Sequence, residues 1–117
     1  IEEYRDYCIA KSHCTEETPF SKSDNILVFK VAGKMFTATD INLFDSISIK
    51  SPPDKVEAMR EQFDGVTTAP YMSKNHWNNV IMNSDVPDDL IYQWIDRSYH
   101  LVIQNLPKKI QAEILGE

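Results

Sequence analysis

Ile26-Leu27-Val28-Phe29-Lys30-Val31, then Ala32-Gly33, then Lys34-Met35-Phe36-Thr37-Ala38-Thr39 is the stretch that decides the fold. Its two flanks are rich in β-branched and aromatic residues, and only Ala32-Gly33 separates them. Two strand-like runs around a two-residue break containing glycine read as an antiparallel β-hairpin.

Working outward, Ile47-Ser48-Ile49-Lys50 alternates with period two and reads as a third, half-buried strand. Residues 76–82 alternate as well, so they read as a strand that pairs with 66–72. Trp77, Asn79 and Ile81 share one of its faces, and the size of the indole predicts that this face is the buried one. His76 then faces water. Thr15 to Phe20 reads as a short edge strand, with Pro19 keeping it away from a sheet centre.

Helices fill the remainder. Ile1, Tyr4, Cys8 and Ile9 form a helical stripe over residues 1–12. Ser51-Pro52-Pro53-Asp54 reads as a helix start, with Ser51 as cap, Pro52 in the first turn and Asp54 closing a capping box. Val56, Met59 and Phe63 mark its apolar face, Glu57 and Arg60 lie on its wet side, and Gly65 is its expected C-terminal stop. Asp85, Pro87 and Asp88 open the longest helix, whose stripe is Ile91, Trp94, Ile95, Ser98 and Val102. Pro107 interrupts it, and Lys108 to Leu115 forms a second short amphipathic helix. The expectation is one α+β domain over residues 1–117: an antiparallel sheet with an N-terminal helix, a middle helix and a C-terminal helix pair packed on it.

At 117 residues, a chain buries roughly two-thirds of its unfolded surface and needs neither disulfides nor metal to hold a core. Two cysteines, Cys8 and Cys14, make no disulfide framework, and a reducing, cytoplasmic setting is expected. There is no apolar run long enough to span a membrane. The acidic start Ile1-Glu2-Glu3 has no apolar segment of a secretory signal, and the absence of an initial Met suggests that the sequence begins a little inside the natural start. The net charge of −6 opposes binding to phosphate backbones on average.

Seven stretches carry a resemblance. Lys74-Asn75-His76-Trp77-Asn78, Val86-Pro87-Asp88-Asp89-Leu90, Ile95-Asp96-Arg97-Ser98-Tyr99 and Leu106-Pro107-Lys108-Lys109 resemble the second half of the MmcQ/YjbR family. Glu3-Tyr4-Arg5-Asp6-Tyr7-Cys8, Val28-Phe29-Lys30-Val31 and Lys34-Met35-Phe36 resemble its first half, in the same order. The resemblance implies the compact α+β "double wing", also likened to the frataxin fold, and DNA as a ligand. It implies no catalytic residues.

Acidic residues are unevenly placed. None lies between Asp24 and Asp40, where Lys30 and Lys34 stand, nor between Asp64 and Asp85, where Lys74 and His76 stand. Arg97, Lys108 and Lys109 fall between Asp96 and Glu113. Lys30, Lys34, Lys74, His76, Lys108 and Lys109 are therefore the candidate phosphate contacts for double-stranded DNA. Solvated lysines that guard strand edges are the plainer reading of the same residues. The alternative partner is another protein, bound at the acidic helical surfaces without nucleic acid.

Enzyme signatures are missing: no GxxxxGK[ST], GxGxxG, GxSxG or HExxH occurs. Ser98 and His100, two positions apart on a helix, point to different sides. Ser98 instead marks close packing, and Tyr99 is expected to carry its ring at the core edge with its hydroxyl out. Cys8, His13 and Cys14 lack the paired spacing and the fourth ligand of a zinc site. Glu2, Glu3 and Asp6 form only a thin acidic face on the first helix, and Asp88-Asp89 suits the positive end of a helix dipole. No cofactor, no metal and no catalysis are expected.

Overall fold

The structure, a computed structural model, describes residues 2–18, 25–40, 44–69 and 72–116. The elements run α1 (Glu2–Ile9), β1 (Cys14–Glu17), β2 (Ile26–Val31), β3 (Lys34–Asp40), β4 (Ser46–Lys50), α2 (Pro53–Gln62), β5 (Val66–Thr68), β6 (Trp77–Ile81), α3 (Asp88–Gln104) and α4 (Lys108–Leu115). The strands form one antiparallel sheet in the order β1-β2-β3-β4-β6-β5. The chain is thus α+β as its sequence predicts. Pro19 and Phe20 of the expected edge strand, Pro70 and Tyr71 of the expected 66–72 strand, and Ile1 of the first helix lie outside the described residues.

The β2–β3 hairpin turns on Ala32 (φ 50°) and Gly33 (φ 80°). Two positive φ values in a two-residue loop match the right-handed twist of the flanking strands. Along β3 the pairing shifts, from Phe29 opposite Thr37 to Lys30 opposite Met35. Phe36 is the extra residue of this bulge, and the bend lets both Phe36 and Thr37 be fully buried. Strict alternation cannot turn two consecutive side chains to the same face, as Phe36 against Tyr99 and Thr37 against Tyr4 both do.

Strand register defines the buried face. Phe29 pairs with Thr37, Thr37 with Ile49, and Ile49 with Asn78; all four side chains are fully buried. Helix α3 crosses β2, β3 and β4 on this face, while α2 packs on β5 and β6 and α1 on β1. Apolar contact is supplemented by buried polar links. The Tyr4 hydroxyl lies 2.9 Å from Thr37 Oγ1, which donates to the Ser48 carbonyl at 2.8 Å. Ser98 donates to the Phe36 carbonyl at 2.5 Å and accepts the Lys50 N–H at 2.9 Å, so one hydroxyl ties α3 to two strands.

Several local expectations change. The register of β6 is the reverse of the one expected: Asn78 and Val80 face the helices, while Trp77 and Asn79 are half-buried and Ile81 is exposed on the open face. Pairing with Ile47 and Ile49 sets this phase. The buried Asn78 amide is satisfied by the Val56 carbonyl at 3.0 Å and by Arg60 at 3.2 Å, which also takes Arg60 off the wet side. Helix α2 has no capping box, because Pro52 is its N-cap and Pro53 opens it. Gly65 is no left-handed stop. Helix α2 ends at the extended Phe63, and a Cβ at Gly65 would come within 2.8 Å of Ser84 Oγ. The Tyr99 hydroxyl points inward and donates to the Ser12 carbonyl at 2.6 Å.

Candidate functional site

Antiparallel register assigns each loop to one of two ends of the sheet. Val31 pairs with Lys34, and Cys14 with Val31, so the β2–β3 turn and the start of β1 lie together. Thr37 pairs with Ile49 and Lys50 with Trp77, which brings the end of β4 and the start of β6 to that same end. The Ser51 N–H donates to the His76 carbonyl at 2.9 Å across this boundary. The last turns of α3 also lie there, since Ser98 binds Phe36 and Lys50 and Tyr99 binds Ser12. Helix α4 follows, held by Ser12 Oγ donating to the Ile114 carbonyl at 3.1 Å.

Of the six candidate phosphate contacts, five are gathered at this end and exposed: Lys34, Lys74, His76, Lys108 and Lys109. Lys30 is not among them. It lies half-buried on the open face and pairs with Glu17 at 2.8 Å across the β1–β2 ladder. Lys50 and Lys55 join the group, one closing β4 and the other in the first turn of α2. Arg97 stands behind them, half-buried. Its Nη2 contacts Met59 Sδ at 3.1 Å and Ser51 Oγ at 3.5 Å, and its Nε is buried without a partner. Burial lowers the Arg97 pKa, with Asp54 opposing that shift. Arg97 forms no ion pair among the described residues.

The other end is acidic. Asp40 closes β3, Asp45 precedes β4, Asp64 and Asp85 flank the β5–β6 pair, and Asp88 and Asp89 open α3 beside Glu2 and Glu3 of α1. The nearest described cation is Arg5 of α1, which pairs with Glu16 at 2.5 Å and also feels the charge of Glu2. Asp85 accepts the N–H groups of Gly65 and Asp64 at 2.8 Å each, and these bonds, Gly65's first, hold its carboxyl below the usual range. Cys8, His13 and Cys14 do not converge with other ligands; among the described residues no three His, Cys, Asp or Glu side chains are grouped to hold a metal. No helix of the described residues is long and apolar enough to cross a membrane.

The YjbR family model matches residues 9–101 of the chain. The chain belongs to the YjbR family. The Escherichia coli K12 protein named YjbR is 28% identical over 110 residues, covering 93% of this chain and 92% of that protein. The Escherichia coli O157:H7 protein named YbdF is 27% identical over 88 residues, covering 74% and 72%. The crystal structure of Deinococcus radiodurans protein DR2400 superposes with a TM-score of 0.89 at 28% identity, covering 97% of this chain and 86% of that one. A Pseudomonas syringae protein at 24% identity shares the fold, with a TM-score of 0.71.

Proposed function

We propose that this YjbR-family protein is a non-catalytic module that contacts the phosphate backbone of duplex DNA through the basic end of its sheet. The supporting observation is the gathering of Lys34, Lys50, Lys74, His76, Lys108 and Lys109 by strand register and by the course of α3. Arg97 behind them is a half-buried cation with no ion-pair partner among the described residues, as a group completed by a bound anion would be. The net charge of −6 is compatible with this reading. Seven residues of β3 separate the two ends by about 20 Å at strand rise. Charges that far apart in solvent are largely screened at physiological salt, where the Debye length is about 8 Å.

The test is a fluorescence-anisotropy titration with a labelled duplex over a range of salt concentrations. Removing one phosphate-binding cation flattens the log K against log salt slope by about 0.9. Lys34→Ala with Lys74→Ala is therefore expected to reduce the slope by about 1.8. Lys30→Ala, which removes a lysine already paired with Glu17, is expected to leave it nearly unchanged. Absence of binding at about 50 mM salt, where these contacts are strongest, refutes the proposal.

The acidic end supports a second reading, a docking surface for a basic partner protein. Partners retained in a pull-down at high salt with nuclease present favour it over DNA.

A further inference from the structure

The N-terminal turns of α1 and α3 and the segment before β4 enclose a cleft of about 390 Å³, within the usual size range of small-ligand sites, about 300–1,000 Å³. Its floor is apolar and buried, formed by Tyr4, Ile47, Ile91 and Ile95. Phe44, Met82 and the Tyr92 ring form half-buried walls. Glu2, Glu3 and Asp88 stand exposed at the mouth, and no cation lines the cleft among the described residues.

We propose that this cleft binds a small organic cation, an ammonium group carried on an apolar body. The charge balance supports that sign. Two helix N-termini face the mouth and bring about +0.5 charge each. Three carboxylates outweigh them and leave about −2. Arg5, which also feels Glu2, is already neutralised by its pair with Glu16, so acidic residues placed only to balance the dipoles would be in excess. Glu3 and Asp88 also raise the pKa of the Tyr92 hydroxyl, after burial as the leading cause, so their field reaches the cleft wall. The apolar body gains from burial against the floor, and an ammonium at the mouth meets the carboxylates and the faces of nearby aromatic rings. Phe44 (φ 39°) and Asn83 (φ 56°) both line the cleft in the left-handed region. Asparagine tolerates this region, whereas an aromatic residue such as Phe44 rarely adopts it.

The probes are hexylammonium, hexanol and hexanoate, titrated against the whole chain and followed by amide chemical shifts. An exposed carboxylate contributes about two- to fivefold, so hexylammonium is expected to bind about tenfold more tightly than hexanol, and hexanoate more weakly than either. Shifts are expected at Tyr4, Ile47, Ile91, Tyr92 and Ile95. Glu3→Gln with Asp88→Asn is expected to bring hexylammonium to within about twofold of hexanol. Should that variant not fold, salt provides the same test on the unaltered chain. A rise from about 50 to 500 mM NaCl screens the mouth and weakens hexylammonium binding while sparing hexanol. Equal affinity for hexanol and hexylammonium, salt-independent binding, or shifts scattered away from the cleft would overturn the proposal. None of these outcomes depends on whether the opposite end binds DNA.

Discussion

Ser98→Ala removes one oxygen and leaves two backbone groups without their partner. The Phe36 carbonyl belongs to a fully buried residue, so leaving it unbonded costs about 1–3 kcal/mol. The Lys50 N–H belongs to a half-buried residue that water reaches more readily, which places it near the low end, about 1 kcal/mol. Alanine opens almost no cavity, so no large packing contribution adds to these. The expected loss is about 2–4 kcal/mol out of a total of about 5–15 for a domain of this size. The variant therefore folds, and its melting temperature falls by about 8–15 °C.

Urea unfolding is the assay. The midpoint is expected to fall by about 1–2 M with an unchanged slope, because the surface exposed on unfolding stays the same. Hydrogen exchange adds a position-specific readout: the Lys50 amide is expected to lose more protection than Ile49 or Ser48. The reasoning is refuted if the stability change stays under about 0.5 kcal/mol, the range of an ordinary surface substitution. It is also refuted if Lys50 exchanges no faster than its neighbours.

Other expectations follow from single features. Trp94 is 7% exposed and packs edge-on against Phe63, so Trp94→Ala is expected to remove about 3–5 kcal/mol. Trp77→Ala, on the open face, is expected to remove much less, and iodide is expected to quench the Trp77 emission preferentially. Ala32→Asn replaces a residue held at positive φ by one that tolerates it, and is expected to raise stability by about 0.5–1 kcal/mol in urea unfolding. Burial pushes the Cys8 thiol up to about 12 from 9.0. Its neutral form thus contributes stability that is complete below pH 9 and is lost as pH rises toward 12. Cys8→Ala is expected to flatten alkaline destabilisation between those limits in melting curves. Lys108→Glu with Lys109→Glu reverses charge at the positive end of α4, so it is expected to raise thermal stability by about 0.3–1 kcal/mol per residue while weakening any DNA affinity.

Features whose cause is local were legible in the sequence. The hairpin at Ala32-Gly33 and the stripe of α3 through Trp94, Ile95, Ser98 and Val102 depend on residues close in the chain, and both form as expected. Features whose cause is a distant partner were not. Trp77 and Ile81 on one face of β6 and Val80 on the other give no clear phase. The phase is set by Ile47 and Ile49 across the ladder, and by Val56 and Arg60, which satisfy Asn78. The capping box is absent for a similar reason. The Ser51 hydroxyl, held before a proline that disfavours the helical conformation, lies instead 3.5 Å from Arg97 Nη2. Lys30 has no acid nearby in sequence, yet the register of β1 places Glu17 beside it.

Net charge as an average also conceals the arrangement of charge. Strands and helices run back and forth between the two ends, so an end-to-end charge difference requires the sign to change from one connection to the next. The described connections do this apart from Asp54, which stands beside Lys55 in the first turn of α2. Lys34 in the β2–β3 turn is followed by Asp40 and Asp45, then by Lys50 and Lys55, then by Asp64. Lys74 and His76 come next, then Asp85, Asp88 and Asp89, and finally Lys108 and Lys109. Helix dipoles account for part of the pattern, since Glu2, Glu3, Asp88 and Asp89 occupy first turns. They do not account for Asp40, Asp45, Asp64 and Asp85, which lie outside helices, and they predict the opposite sign at α4, whose first turn carries Lys108 and Lys109 with no acid. Those two lysines stand where the α4 dipole opposes them, at the end of the sheet where a bound phosphate would offset both.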